Sequence, residues 1–174
     1  AIDDHGLAVS SILLTHAHLD HITGVGRAKA ALGAVVWLHH DDLFLYDGAV
    51  DQGRLFGLPV DPPPPVDRFY DPSSEPIRFG SCVVDVLHTP GHCPGGVCLA
   101  VGREGTAERE LFVGDTLFAG SIGRTDLPGG DYDTLLRSIR TVLFRFPDTT
   151  VVHSGHGPDT TIGYERRSNP FLLP

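Results

Sequence analysis

Four stretches of this chain place metal-ligand residue types where an apolar, strand-like run gives way to a turn. The richest is Thr15-His16-Ala17-His18-Leu19-Asp20-His21, directly after Ile12-Leu13-Leu14. The others are Thr89-Pro90-Gly91-His92 after a run ending at Leu87, Gly114-Asp115-Thr116 after Leu111-Phe112-Val113, and Gly155-His156-Gly157 after Val151-Val152. Imidazoles and carboxylates are the donors that zinc and other first-row divalent ions take. A loop holding His16, His18, Asp20 and His21 has little structural purpose without a cation, because fixing so many polar groups side by side is costly. His92, Asp115 and His156 taken singly fit turn or capping roles as well, and spacing alone leaves their part open. Together the seven side chains exceed what one tetrahedral ion needs. They match two ions sharing a carboxylate, the arrangement of a two-metal hydrolytic centre.

Strand-end loops must be positioned by the elements around them. The pattern predicts strands over 11–14, 34–38, 82–89, 97–101, 111–114 and 149–153. It predicts helices over 22–32, from Asp41 and Asp42 onward, over 132–146 and over 162–167. Residues 57–66 contain four consecutive prolines and read as a stiff extended connection, a lid or surface loop. This alternation suggests an α/β sandwich with its chemistry at strand ends. Other polar candidates read as structural. His39 and His40 lie at a helix start, His153 at a strand end, and His88 is a possible support for His92. Tyr164 and Arg166 suit either a substrate entrance or the packing of the last helix.

Composition narrows the functions. The 174 residues are enough for one domain with a sizeable core, and 41% hydrophobic with 20% charged residues is ordinary for a globular chain. A formal charge of -9, with Lys29 as the single lysine, argues against nucleic acid or an anionic membrane as partner. Cys82, Cys93 and Cys98 follow no zinc-finger or disulfide pattern and read as small buried hydrophobes. No apolar run is long enough to span a membrane and no signal peptide is evident, so a cytoplasmic location is expected.

The segment Thr15 to His21 resembles the His-x-His-x-Asp-His signature of the metallo-β-lactamase superfamily, and the later His, Asp and His arrive in that family's order. Thr89-Pro90-Gly91-His92-Cys93-Pro94-Gly95 and Gly114-Asp115-Thr116-Leu117-Phe118 are similar to glyoxalase II, the hydroxyacylglutathione hydrolases. Gly155-His156-Gly157-Pro158 and the stretch Gly163-Tyr164-Glu165-Arg166 to Asn169-Pro170-Phe171 resemble short bacterial members of that branch. The resemblance implies a single α/β domain over residues 1–174, the metallo-β-lactamase αββα sandwich. It also implies a first metal held by His16, His18 and His92, a second held by Asp20, His21 and His156, and Asp115 bridging both. The cofactors implied are two divalent ions, zinc first, with iron or manganese as alternatives. A hydroxide between them would attack a small-molecule thioester such as S-lactoylglutathione, while one ion polarises the carbonyl. Asp20 would orient the water or move its proton, which makes Asp20 and Asp115 the catalytic carboxylates.

Three departures qualify that picture. The family has further strands ahead of the metal loop, so a sandwich lacking its N-terminal strands is expected. Such a fragment would expose sheet edges, and it would associate with another chain as an oligomer or lack independent activity. Arg124 matches a basic position that contacts glutathione in glyoxalase II, which makes it the candidate substrate-binding residue. Asp126 stands where the family has a tyrosine, and there it would repel an anionic thiol carrier. Finally, Gly123-Arg124-Thr125-Asp126 and His21-Ile22-Thr23-Gly24 also resemble the persulfide dioxygenases of the superfamily. Those enzymes hold one iron, and their chemistry is the competing expectation.

Overall fold

A computed structural model describes residue 2 and residues 5–71 and 76–173 of the chain, which divides into two compact units, Ala1–Tyr70 and Asp71–Pro174. In the first unit, β1 (Ser11–Leu13), β2 (Val35–Leu38) and β3 (Arg68–Phe69) form a parallel sheet in that order. Parallel neighbours need a crossover, and α1 (Leu19–Ile22) with α2 (Val25–Leu32) supplies the first one. The expected single helix over 22–32 is therefore two helices, interrupted at Thr23 and Gly24. Helical turns begin earlier than expected, at Leu19, directly after His18 in extended conformation. After β2, residues His40–Asp42 make a 3-10 turn into α3 (Leu43–Asp47) and α4 (Ala49–Leu55). Leu14, Ala17, Ile22, Val36, Leu38 and Tyr46 are buried and form the apolar interior of this unit.

The proline-rich connection is neither helix nor strand, as expected, but its C-terminal end is tied down. The Tyr46 hydroxyl donates to the Pro64 carbonyl at 2.8 Å, and the Lys29 ammonium donates to the Pro65 carbonyl at 3.1 Å. Just beyond, the Asp67 carboxylate accepts from Lys29 at 2.6 Å and from the Val36 amide at 2.8 Å.

The second unit is built on β4 (Ile77–Phe79), β5 (Cys82–His88), β6 (Val97–Arg103), β7 (Glu110–Gly114), β10 (Val151–Ser154) and β11 (Thr160–Thr161), in the sheet order β11-β10-β7-β6-β5-β4. A small hairpin, β8 (Leu117–Phe118) and β9 (Ser121–Ile122), follows β7, and helices α5 (Tyr132–Thr141) and α6 (Ile162–Ser168) complete the unit. Leu135, Ile139 and Leu143 pack with Ala100, Leu111, Val113, Val152 and Ile162 into one buried cluster. Each of the Leu, Ile and Val side chains contributes roughly 1.5–3 kcal/mol by leaving water.

The helix expected over 132–146 stops at Thr141 and gives way to a 3-10 turn at Leu143–Arg145. Pro147 explains why the 3-10 turn goes no further than Arg145, because a residue before proline avoids helical angles and Phe146 is extended at ψ 153°. Strands β3, β4, β8, β9 and β11 are two or three residues long, too short to show alternation in the sequence. Cys93 and Cys98 are buried and Cys82 is partly buried, all with free thiols, as the sequence suggests. Among the described residues, no helix is long and apolar enough to cross a membrane.

Strand direction decides where loops gather. In the second unit β5 is antiparallel to β6, β6 is antiparallel to β7, and β10 is parallel to β7. Strands β5, β7 and β10 thus run the same way, and the loops after them leave from one edge of the sheet. Those loops carry His92, Asp115 and His156. In the first unit β1 and β2 are parallel, so the histidine loop and residues 39–42 also share an edge.

Candidate metal centre

Within the first unit, β1 delivers the histidine-rich loop as a tight cluster. The ring centroids of His16 and His18 lie 5.0 Å apart, edge to face, and those of His16 and His21 lie 4.0 Å apart. A ring nitrogen of His16 comes within 4.8 Å of one on His18 and of one on His21. The His21 Nε2 is 3.5 Å from Asp20 Oδ2, and the Asp20 side chain is 57% exposed. His16 and His18 are buried, so the cluster pairs enclosed imidazoles with a carboxylate that reaches solvent.

The backbone of this loop is gripped from within the same unit. The Ala17 amide donates to Asp42 Oδ2 at 3.1 Å, and the Ala17 carbonyl accepts from Gln52 Nε2 at 3.3 Å. Asp42 was expected only as a helix-start residue. Its side chain makes no capping bond to α3 and is completely buried instead.

In the second unit, Asp115 is the convergence point. His92 Nε2 lies 3.8 Å from Asp115 Oδ2, and His156 Nε2 lies 3.5 Å from the same oxygen. The Arg124 carbonyl is 2.7 Å from His92 Nδ1 and can only accept, so Nδ1 carries a hydrogen and Nε2, on the side of Asp115, is the ring nitrogen left to ligate. A divalent cation shared by that nitrogen and the carboxylate would hold the pair together. The donor set, its chemistry and this fixed tautomer all fit a divalent metal.

Close backbone approach makes the arrangement possible at two glycines. Gly91 adopts φ 131°, and a Cβ there would lie 2.3 Å from the Leu135 amide nitrogen, so only glycine lets the His92 loop rest on α5. At Gly123 a Cβ would fall 1.8 Å from the Asp115 carbonyl oxygen and 3.2 Å from His92 Nδ1. The Ser138 hydroxyl adds a bond to the Pro90 carbonyl at 2.8 Å, and the Asp131 amide bonds the Gly91 carbonyl at 2.8 Å. His88 supports the same loop from its other side, with Nε2 2.9 Å from the Pro94 carbonyl. His156 is set by Ser154, whose hydroxyl donates to the His156 carbonyl at 2.7 Å, and by the Gly155 amide bonding Gly114 at 2.8 Å.

Other candidates fall into place around this centre. Arg124 turns its guanidinium onto Asp126, with Nε and Nη2 at 2.7 and 2.8 Å from the two carboxylate oxygens. The hydrogen bonds from Arg124 hold the Asp126 carboxyl down at a pKa of about 2. His153 stands on β10 between Glu110 Oε2 at 3.0 Å and Asp159 Oδ2 at 2.9 Å. Arg166 packs the last helix, bonding Asp148 and the Phe144 carbonyl. Glu165 escaped sequence analysis as a supporting residue. Its buried carboxylate accepts from the Gly120 amide at 3.0 Å, Thr160 Oγ1 at 2.6 Å and Asn169 Nδ2 at 2.7 Å, and so anchors the β8–β9 hairpin that leads from Asp115 to Arg124. A buried acid is tolerable only when bonded in this way.

Comparison with known proteins identifies the family. The metallo-β-lactamase superfamily model matches residues 1–156. Hydroxyacylglutathione hydrolase GloC of Haemophilus influenzae is 41% identical over 173 residues, covering 98% of this chain and 79% of its own length. Among solved structures, TTHA1623 in a di-iron-bound form shares 45% identity with a TM-score of 0.82, covering 98% of this chain and 81% of that one. BLEG-1, a B3 metallo-β-lactamase, shares 39% identity with a TM-score of 0.87, covering 99% and 81% respectively. Matched over most of its length by the family model and 41% identical to GloC, the chain belongs to the metallo-β-lactamase superfamily.

Proposed function

We propose that this chain is a metal-dependent thioester hydrolase of glyoxalase II type with a two-metal centre. The observation that carries the reading is Asp115, one of whose oxygens is faced by both His92 and His156. A carboxylate flanked by two imidazoles is suited to hold two cations at once. In this reading His16, His18 and His92 hold the first ion, Asp20, His21 and His156 hold the second, and Asp115 serves both. Bound divalent ions would supply Lewis acidity, lowering the pKa of water and polarising the carbonyl of the acyl group.

The chain's own groups do the remaining work. The Arg124 carbonyl keeps the His92 proton on Nδ1 and leaves Nε2 for ligation. In this reading Asp20, more than half exposed beside His21, would accept and pass on the proton of the attacking water. The thiol carrier leaves as a thiolate, so no separate general acid is required. The likeness to GloC supports glutathione thioesters as substrates, whereas the Arg124–Asp126 pair disfavours strongly anionic carriers.

The test is hydrolysis of S-lactoylglutathione by protein of known metal content, with Asp115→Asn as control. Turnover that scales with two bound metals and vanishes in the control supports the proposal. No turnover by a folded, fully metallated chain refutes it. One iron per chain with oxygen uptake on glutathione persulfide would establish the dioxygenase alternative, and cleavage of a chromogenic β-lactam would establish lactamase chemistry. Metal counting sharpens the ligand assignment. Asp115→Ala should lose both ions and His156→Ala only the second, and equal counts in the two variants would contradict the bridging role.

A further inference from the structure

We propose that Asp42 and Gln52 are positioning residues for the metal centre, acting through the two peptide groups of Ala17. The proposal rests on the metal-ligand reading of His16 and His18. Ala17 is wholly buried between them. Its amide belongs to the peptide joining it to His16, and its carbonyl belongs to the peptide joining it to His18. Asp42 Oδ2 holds the first at 3.1 Å and Gln52 Nε2 holds the second at 3.3 Å. Rotation of either peptide plane would swing the attached imidazole, so holding both fixes the separation and tilt of the two rings.

The side chains reach this peptide at the expense of ordinary local roles. Asp42 occupies the N-terminal cap of α3, where a carboxylate normally bonds the helix amides, yet it makes no such bond. It spans 25 positions to Ala17 instead and is fully buried in doing so. Gln52 lies on α4 and also donates to the Leu45 carbonyl at 2.7 Å, so its amide group is pinned before it meets Ala17. The 3-10 turn, α3 and α4 therefore form a rigid brace behind the histidine loop.

The experiment is titration of the metal-free chain with cobalt(II), followed by its visible d–d absorption, in Asp42→Ala, Asp42→Asn and Gln52→Ala. Circular dichroism checks that each variant is folded. Asp42→Ala and Gln52→Ala should each weaken the first cobalt about tenfold to a hundredfold, the loss typical when a group orienting a metal ligand is removed, and should alter the absorption envelope. Asp42→Asn, which keeps an acceptor for the Ala17 amide, should restore near wild-type binding. Folded Asp42→Ala and Gln52→Ala proteins with wild-type midpoints and spectra would overturn the inference, as would equal loss in Asp42→Asn and Asp42→Ala. Should Asp42→Ala fail to fold, Gln52→Ala carries the same test alone. A wild-type chain that takes up no cobalt would refute the metal centre itself, which is a different outcome from normal uptake in every variant.

Discussion

Gly123→Ala should damage the metal site without touching a ligand. The new Cβ would fall 1.8 Å from the Asp115 carbonyl oxygen, whereas ordinary contact begins at 3.4 Å, so the chain must open by about 1.6 Å. The obstruction is backbone, in the turn just after β7, and cannot rotate aside as a side chain would. The same Cβ would press on His92 Nδ1 at 3.2 Å, next to the 2.7 Å bond that the ring makes with the Arg124 carbonyl. Overpacking of this kind costs about 1–3 kcal/mol. In a chain of this size that lowers Tm by roughly 2–12 °C. Losing the carbonyl that orients His92 should weaken metal binding about tenfold to a hundredfold. The assay is a chelator-competition zinc titration beside a thermal melt, with Gly26→Ala as the matched control. Gly26 lies inside α2 with its nearest neighbour at an ordinary 3.7 Å, so that substitution should leave zinc affinity alone and raise stability by up to about 1 kcal/mol. Gly123→Ala protein indistinguishable from wild type in both measurements would refute the reasoning.

Three further outcomes follow from side chains around the centre. Burial works against a charged His153, but its hydrogen bonds and ion pairs with Glu110 and Asp159 outweigh that and hold its pKa above the usual value. The stability it contributes is then fully present below about pH 6.5 and is lost as pH rises through the folded pKa. The Tm advantage of wild type over His153→Gln should shrink with rising pH, and a gap that widens would contradict the assignment. Removing Asp126 frees the Arg124 guanidinium, so Asp126→Ala should lower KM for an anionic thioester roughly twofold to fivefold at unchanged kcat, the scale of an exposed ion pair, with an unchanged KM as the contrary result. Burial pushes the Cys98 thiol up to about 11, whereas Cys82 is partly exposed. A maleimide probe at pH 8 should label Cys82 in the folded chain and Cys98 only after unfolding, and equal rates by peptide mapping would count against this.

What the sequence showed and what it hid divide along a physical line. The histidine loop stood out because its residue types are those that metals take, whereas His92, Asp115 and His156 taken singly fitted turn or capping roles as well. Runs such as 82–88 and 97–103 are long enough to show their strand character, and the sheet brings three of these residues to one edge because β5, β7 and β10 share a direction. The helix over 22–32 was misjudged because Gly24 interrupts a pattern whose apolar spacing continues across it. The groups that fix the ligands were harder to see. His92 is oriented by a backbone carbonyl, at Arg124, and every residue has one. Only the fold determines which carbonyl comes within reach.

Asp42 illustrates the same limit from the other side. Its type and place just before α3 fit a helix cap, and nothing in the local pattern signals that its carboxylate turns to Ala17 instead. The clue was present at a longer range. Two His/Asp-bearing loops, 15–21 and 39–42, follow adjacent parallel strands, and parallel neighbours deliver their C-terminal loops to one edge. An acidic residue there lies beside the metal loop whether or not it is a ligand itself. Substitutions at Asp42 should therefore track metal affinity more closely than they track helix stability. Comparing cobalt midpoints with thermal melts across Asp42 variants separates those two quantities directly.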